Sequence, residues 1–142
     1  MRDATVRRLS QVHAAVFRWS GGRLGRRMAA NDILLLTSTG RRSGDRHTVP
    51  LLYLGNGERL VVFASFGGRD VHPDWYRNLL ADPAAEVELP GRRLRVTAET
   101  VVGTERDRLW ERAVAAYPAY AAYQRRTERE IPVVMLRPGA AV

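Results

Sequence analysis

Ile33-Leu34-Leu35-Leu36-Thr37-Ser38-Thr39-Gly40-Arg41-Arg42-Ser43-Gly44-Asp45-Arg46-His47-Thr48-Val49-Pro50-Leu51-Leu52-Tyr53 reads as two strands joined by a tight basic loop. Each apolar run has the length of a buried strand. The connection is bounded by Gly40 and Gly44 and carries three arginines, His47, Ser43 and two threonines. Glycines let a backbone turn and approach a ligand closely. Guanidinium forks and free backbone N–H groups suit a phosphate or carboxylate. A solvated basic turn is the competing reading of the same residues. The loop is not a Walker A site, since no Lys-Ser/Thr pair follows its second glycine, and it is not a G-x-G-x-x-G fingerprint.

Downstream residues extend the β pattern. Strands are expected near 32–39, 47–55, 59–66, 85–90, 92–102 and 131–137, with Gly55-Asn56-Gly57-Glu58 as a hairpin turn built on Asn-Gly. In 92–102, Leu94, Val96 and Ala98 alternate with Arg93, Arg95, Thr97 and Glu99, so one face is buried. Pro73 is expected at the first position of a short helix that ends before Asp82-Pro83. Thr104 with Asp107 resembles a capping box for a helix whose apolar face is Leu109, Trp110, Ala113, Val114 and Tyr117. Pro118 interrupts, and a turn or short helix carries Tyr120 and Tyr123. Successive strands connect as hairpins, so the class is α+β, mainly β, with an antiparallel sheet closing into a small barrel flanked by helices.

Residues 1–28 form a separate N-terminal piece and 29–142 the barrel domain. Thr5 to Trp19 reads as an amphipathic helix with the stripe Val6, Leu9, Val12, Val16 and Phe17, followed by a basic piece from Arg23 to Arg27. Packing of that stripe on the barrel is the preferred reading. The alternative is contact of residues 1–27 with an anionic membrane surface.

The chain has 142 residues, a net charge of +8, and arginine at all 23 basic positions. Every phosphate contact must therefore be made by a planar fork and not an ammonium. Such a balance admits nucleic acid, an anionic surface or a poly-anionic small molecule. Cysteine is absent, which removes disulfides, thiolate metal sites and a cysteine nucleophile. No signal-peptide pattern or membrane-spanning run is seen, so the expected address is the cytoplasm. The three histidines lack metal-ligand spacing, and no metal site is expected. There is no G-x-S-x-G elbow. Few groups remain for covalent or acid–base chemistry, which suits a protein that holds a planar, anionic cofactor. Nucleic-acid binding is disfavoured, because aromatics and arginines are not interleaved on one exposed strand face.

Two further segments stand out. Ala64-Ser65-Phe66-Gly67-Gly68 leads to His72-Pro73-Asp74-Trp75-Tyr76-Arg77-Asn78-Leu79, where a ring could lie against small residues near a helix start. Trp75 and Leu79 simply docking that helix is the other reading. Tyr117, Tyr120 and Tyr123 share a helical face, either as aromatic core or as the wall of a cavity.

Four blocks in this order resemble the deazaflavin-dependent nitroreductases, also described as F420H2-dependent quinone reductases. They are Leu34 to Pro50, Ala64 to Leu79, Tyr117 to Gln124, and Thr127 through Arg129 to Ile131-Pro132-Val133. The resemblance implies a split β-barrel like that of FMN-binding proteins, and coenzyme F420, an 8-hydroxy-5-deazaflavin with a phosphate and polyglutamate tail. It implies hydride transfer from the reduced coenzyme to a quinone or similar planar, electron-poor acceptor. Arg41, Arg42 and Ser43 would grip phosphate and tail, with His47, Thr48, Val49, Pro50 and Leu51 completing that wall. Phe63, Ala64, Ser65 and Phe66 would lie along the deazaflavin. Asp74, Trp75, Tyr76, Arg77 and Asn78 would close the other side. Tyr123 would reach cofactor or substrate and supply a proton, and Tyr117 and Tyr120 would shape the substrate pocket. Related FMN-using split barrels dimerise, which suggests a homodimer. The alternatives are an FMN-dependent split-barrel reductase, a non-catalytic ligand-binding protein, or a basic nucleic-acid-binding module.

Family members often carry Gly-Arg-Lys-Ser-Gly where Arg42 stands here, and arginine where His47 stands. His47→Arg is expected to tighten coenzyme binding at pH 8, where histidine is neutral. Unchanged or weaker affinity in a titration at that pH would remove His47 from the phosphate contact.

Overall fold

The computed structural model describes residues 33–141. The helix expected over Thr5 to Trp19, the basic piece after it and the boundary at 28/29 lie outside the described residues. Seven strands and three helices follow: β1 (Ile33–Thr39), β2 (Arg46–Leu52), β3 (Leu54–Asn56), β4 (Arg59–Phe63), α1 (Asp74–Ala81), β5 (Ala84–Leu89), β6 (Arg92–Val101), α2 (Gly103–Ala116), α3 (Ala119–Arg125) and β7 (Val133–Ala141). The strands form one sheet in the order β2-β1-β5-β6-β7-β4-β3, and every neighbouring pair is antiparallel.

One stretch of chain makes both edges of this sheet. A single strand was expected over 47–55, but it breaks at Tyr53. Before the break β2 pairs with β1, from Ile33↔Leu52 to Thr39↔Arg46. After it β3 pairs with β4, from Leu54↔Val61 to Asn56↔Arg59. Two edges joined through one buried tyrosine require the sheet to curl, which gives the half-barrel of the split-barrel fold.

Alternation assigns the rows. Leu34 and Leu36 of β1, Leu60 and Val62 of β4, Val87 and Leu89 of β5, Leu94 and Val96 of β6, and Val134 and Leu136 of β7 fill the barrel interior, with Trp75 and Leu79 of α1. The opposite rows of β4 and β7 supply a second core. Val61, Phe63, Val133 and Met135 pack there with Leu109, Ala113 and Tyr120 from α2 and α3. This explains why Ile131 to Leu136 is apolar without alternation: both faces of the strand are covered.

Three local expectations are corrected. The β3–β4 turn centres on Gly57-Glu58, since Asn56 still pairs with Arg59. Pro73 is the cap before α1 and not its first residue; its carbonyl accepts from the N–H groups of Tyr76 and Arg77 at 3.1 and 3.2 Å. The Thr104 capping box does not form. Pairing of β6 runs to Val101, only Val102 separates strand from helix, and α2 has begun before Thr104.

The two-sided burial of β7 is directly testable. Met135→Ala and Leu136→Ala remove side chains from opposite cores, and each is expected to lower unfolding stability by about 2–5 kcal/mol. A cost well below that range for either variant in chemical denaturation would contradict a core on both faces.

A candidate cofactor site at one end of the barrel

The antiparallel register gathers the sequence blocks at one end of the barrel. The β1–β2 loop, the end of β4 and the start of β7 all lie there, because β1 leads up to it and Phe63 pairs with Val133. The loop folds on itself: Gly40 N–H donates to the Asp45 carbonyl at 2.7 Å and Gly44 N–H to the Gly40 carbonyl at 2.9 Å. Asp45 N–H donates to Ser43 Oγ at 3.1 Å. Helix α1 holds the loop in place. Asn78 Oδ1, deeply buried, accepts from the backbone N–H of Arg41 at 3.1 Å and from its Nη1 at 2.9 Å. Arg41 Nη2 lies 3.3 Å from Asp74 Oδ1.

Arg41 is therefore largely spent on fixing the loop. Arg42 is not: it is exposed and makes no hydrogen bond or ion pair among the described residues. His47 shares the interior row with Val49 and Leu51, as its pairing with Ser38 requires. Its ring lies over Gly40, where an added Cβ would come within 2.8 Å of Nε2. Arg46 takes the outer row, as alternation predicts, and meets Glu86 at 3.5 Å; Arg93 meets the same carboxylate oxygen at 3.3 Å. Thr48 and Pro50 are on that outer row too, with Thr48 Oγ1 2.8 Å from Thr37 Oγ1.

The segment after β4 is the second wall. Phe66, Gly67 and Gly68 follow one another at positive φ of 47°, 63° and 83°. For Phe66 this left-handed backbone is strained, and it turns the ring out toward solvent, beneath the Arg69 guanidinium at 4.7 Å. Gly68 sits against α3, where a Cβ would stand 2.6 Å from the Tyr123 carbonyl oxygen. Arg126 Nη1 donates to the Gly67 carbonyl at 3.2 Å.

From the 126–132 loop, Arg129 reaches the same segment. Its Nε donates to the Arg69 carbonyl at 2.7 Å, Nη1 to Ala64 at 3.1 Å and Nη2 to Ser65 at 2.9 Å. Nη1 also lies 3.1 Å from His72 Nδ1. The His72 pKa is lowered by burial, then by the charges of Arg129 and Arg77.

The aromatic side chains divide by strand alternation. Ala64 belongs to the barrel interior and Phe63 to the second core, so the two do not line one surface. Phe63 packs with Tyr120 at 5.2 Å and Trp110 at 6.1 Å between ring centroids. Tyr120 is buried at the centre of this group, with Tyr117 at 5.9 Å and Tyr123 at 6.1 Å; burial pushes its hydroxyl pKa up, so it stays protonated. Trp75 and Tyr76 are buried as well. Trp75 docks α1 on the barrel, and the Tyr76 hydroxyl bonds Thr100 Oγ1 at 2.8 Å. Tyr123 is half-buried, with the Arg126 guanidinium 5.5 Å above its ring, and Arg77 is exposed.

Residues 9–138 match the family model described as F420H(2)-dependent quinone reductase. The chain belongs to this family. The F420H(2)-dependent quinone reductase Rv1261c of Mycobacterium tuberculosis is 39% identical over 133 residues, covering 90% of this chain and 89% of the relative. The solved structure of an F420-H2 dependent reductase (FDR-A) is 40% identical, covers 75% of this chain and 94% of its own, and superposes with a TM-score of 0.69. A solved domain-swapped dimer is 34% identical, covers 84% and 98%, and has a TM-score of 0.70.

The donor set fits the anionic cofactor of this family at the loop, where Arg42, Ser43 and the turn around Gly44 are open to solvent. The rings of Phe63, Trp75 and Tyr76 are buried, Phe63 in the second core and the other two in the barrel interior. Arg129 joins the Ala64–His72 segment although the sequence reading gave it no role. It had appeared only within the fourth block, and its partners are 57 to 65 positions away, so no local signal marks them.

Asn78→Ala leaves the part-buried Arg41 N–H without its acceptor. It is expected to cost about 1–3 kcal/mol and to loosen the loop. Denaturation curves together with amide exchange at residues 40–45 test this; wild-type exchange there would mean that Asn78 does not anchor the loop.

Proposed function

We propose that the Arg41–His47 loop, the Ala64–His72 segment and the N-terminal turn of α1 together hold coenzyme F420, and that the acceptor reduced there is a quinone or similar planar, electron-poor compound. The protein is an F420H2-dependent oxidoreductase by family. The observation that carries the site assignment is the exposed Arg42 fork, without a partner among the described residues, on a loop that Arg41 has already fastened to α1. Tail and phosphate meet Arg42, Ser43 and His47, and the Ala64–Phe66 backbone lies along the ring system. Bound reduced coenzyme F420 supplies the hydride.

The chain's own part is placement and exclusion of water. Arg41 and Arg129 fix the two walls before any ligand arrives, so little ordering is left to the binding step. Tyr123, at the lip of α3, holds a proton for the acceptor oxygen, while Tyr117 borders the acceptor's space and buried Tyr120 keeps both in position. A homodimer is the assembly this reading favours, on the strength of the domain-swapped relative. The cytoplasm is the proposed compartment. Contact of residues 1–27 with the inner face of the membrane would suit a lipid-soluble quinone and rests on their arginines and apolar stripe. Among the described residues no helix is long and apolar enough to cross a membrane.

Side-by-side titration with F420 and FMN, followed by oxidation of the reduced coenzyme with menadione, tests the reading. Selective F420 binding with quinone-dependent turnover is expected; FMN binding alone would transfer the site to a flavin enzyme. Arg42→Ala is expected to raise Kd for F420 by about tenfold, a loss of roughly 1.4 kcal/mol. Tyr123→Phe is expected to lower kcat by about 10²-fold with little change in Kd for F420. Unchanged turnover would assign the proton to solvent.

A further inference from the structure

We propose that Arg129 is a positioning residue whose guanidinium, together with neutral His72, holds the Ala64–His72 wall in its binding shape. The proposal deepens the cofactor reading and rests on it for the affinity arm of the test. Arg129 donates to three backbone carbonyls, those of Ala64, Ser65 and Arg69, and lies 3.1 Å from His72 Nδ1. A guanidinium has only donors, so Nδ1 must be the acceptor and the imidazole proton must sit on Nε2. The four partners span the strained Phe66 turn, and fixed hydrogen bonds are what allow such a backbone to persist.

The arginine is itself held. Gln124 Nε2 donates to the Arg129 carbonyl at 2.8 Å, and Gln124 Oε1 accepts from Ile131 N–H at 2.9 Å. Arg129 N–H reaches Thr127 Oγ1 at 3.3 Å. Helix α3 thereby fixes the loop that carries the clamp, and Gly68 rests on the same helix. A lysine at 129 could not replace this arrangement, because one ammonium cannot serve acceptors spread around a planar fork.

A pH dependence follows from the geometry. Protonated His72 would present an N–H and a positive charge to Arg129. Arg77 adds a second cation from α1, the Tyr76 ring packs on the imidazole at 5.0 Å, and Asp70 is the carboxylate that acts on Arg129. The His72 pKa lies below its unfolded value, so the clamp's contribution is full above the unfolded pKa and is lost as pH falls through the folded one.

Amide exchange of the free protein and F420 affinity between pH 8 and pH 5.5 test the proposal in wild type, Arg129→Gln, Arg129→Lys and His72→Asn. Arg129→Gln is expected to speed exchange across residues 64–72 by about tenfold while β6 is unchanged, and Arg129→Lys not to restore it. His72→Asn keeps an acceptor near Nδ1 and cannot titrate. Acid is expected to weaken F420 binding in wild type and to do so less in this variant, whereas the coenzyme's own ionisation is common to both. His47→Gln separates any share due to His47. Wild-type exchange over 64–72 in Arg129→Gln, or an identical pH profile in His72→Asn, would overturn the proposal. If no form bound F420, the cofactor reading would fail and the exchange result would still decide the clamp.

Discussion

Everything at the binding end depends on one stretch of chain serving two sheet edges. Residues 46–56 pair first with β1 and then with β4, with Tyr53 buried at the joint. Neither edge can move without the other. Because β2 starts where β1 ends, the basic loop is fixed to the rim of the barrel. Because β4 runs back from the β3 turn, its end and the Phe66 turn return to the same rim. The two walls of the proposed site are thus placed by strand pairing before any side chain in them is considered.

The arginine-rich composition takes on a different meaning within this frame. Several forks are internal fasteners. Arg41 binds the loop to α1, and Arg129 gathers three carbonyls and a histidine. Arg106, buried, donates to the Ile131 carbonyl at 2.8 Å and lies over the Trp110 ring at 5.0 Å. A planar group with five donors can close such junctions, and an ammonium cannot. Arg42 differs from these fasteners in being exposed on the rim loop with no partner among the described residues, and the ligand role is proposed for it on that position.

Local signals gave the existence of elements but not their ends, as the Gly57-Glu58 turn, the Pro73 cap and the unformed Thr104 box show. Alternation along 92–102 and the short helix before Asp82-Pro83 depend on neighbours within a few residues, and these elements form as expected. The break at Tyr53 was hidden because an apolar run does not reveal that its halves pair with different partners. Alternation along β2 puts Arg46 on the face opposite His47. Applied to Phe63 and Ala64, it would also have separated those two, whereas the family pattern grouped them. Trp75 and Leu79 follow the docking reading of their spacing, and Tyr120 follows the core reading. Arg129 was out of reach of any local pattern, since its role is defined by carbonyls that carry no residue identity.

A crystal structure of the protein with oxidised coenzyme F420 is the measurement that bears most directly on the site. The account requires the phosphate within hydrogen-bond distance of Arg42 and the ring system along the Ala64–Phe66 backbone, with the Arg129 contacts intact. Coenzyme bound instead in the cleft between α1 and β6, lined by Tyr76, Leu80, Glu99 and Thr100, would contradict it.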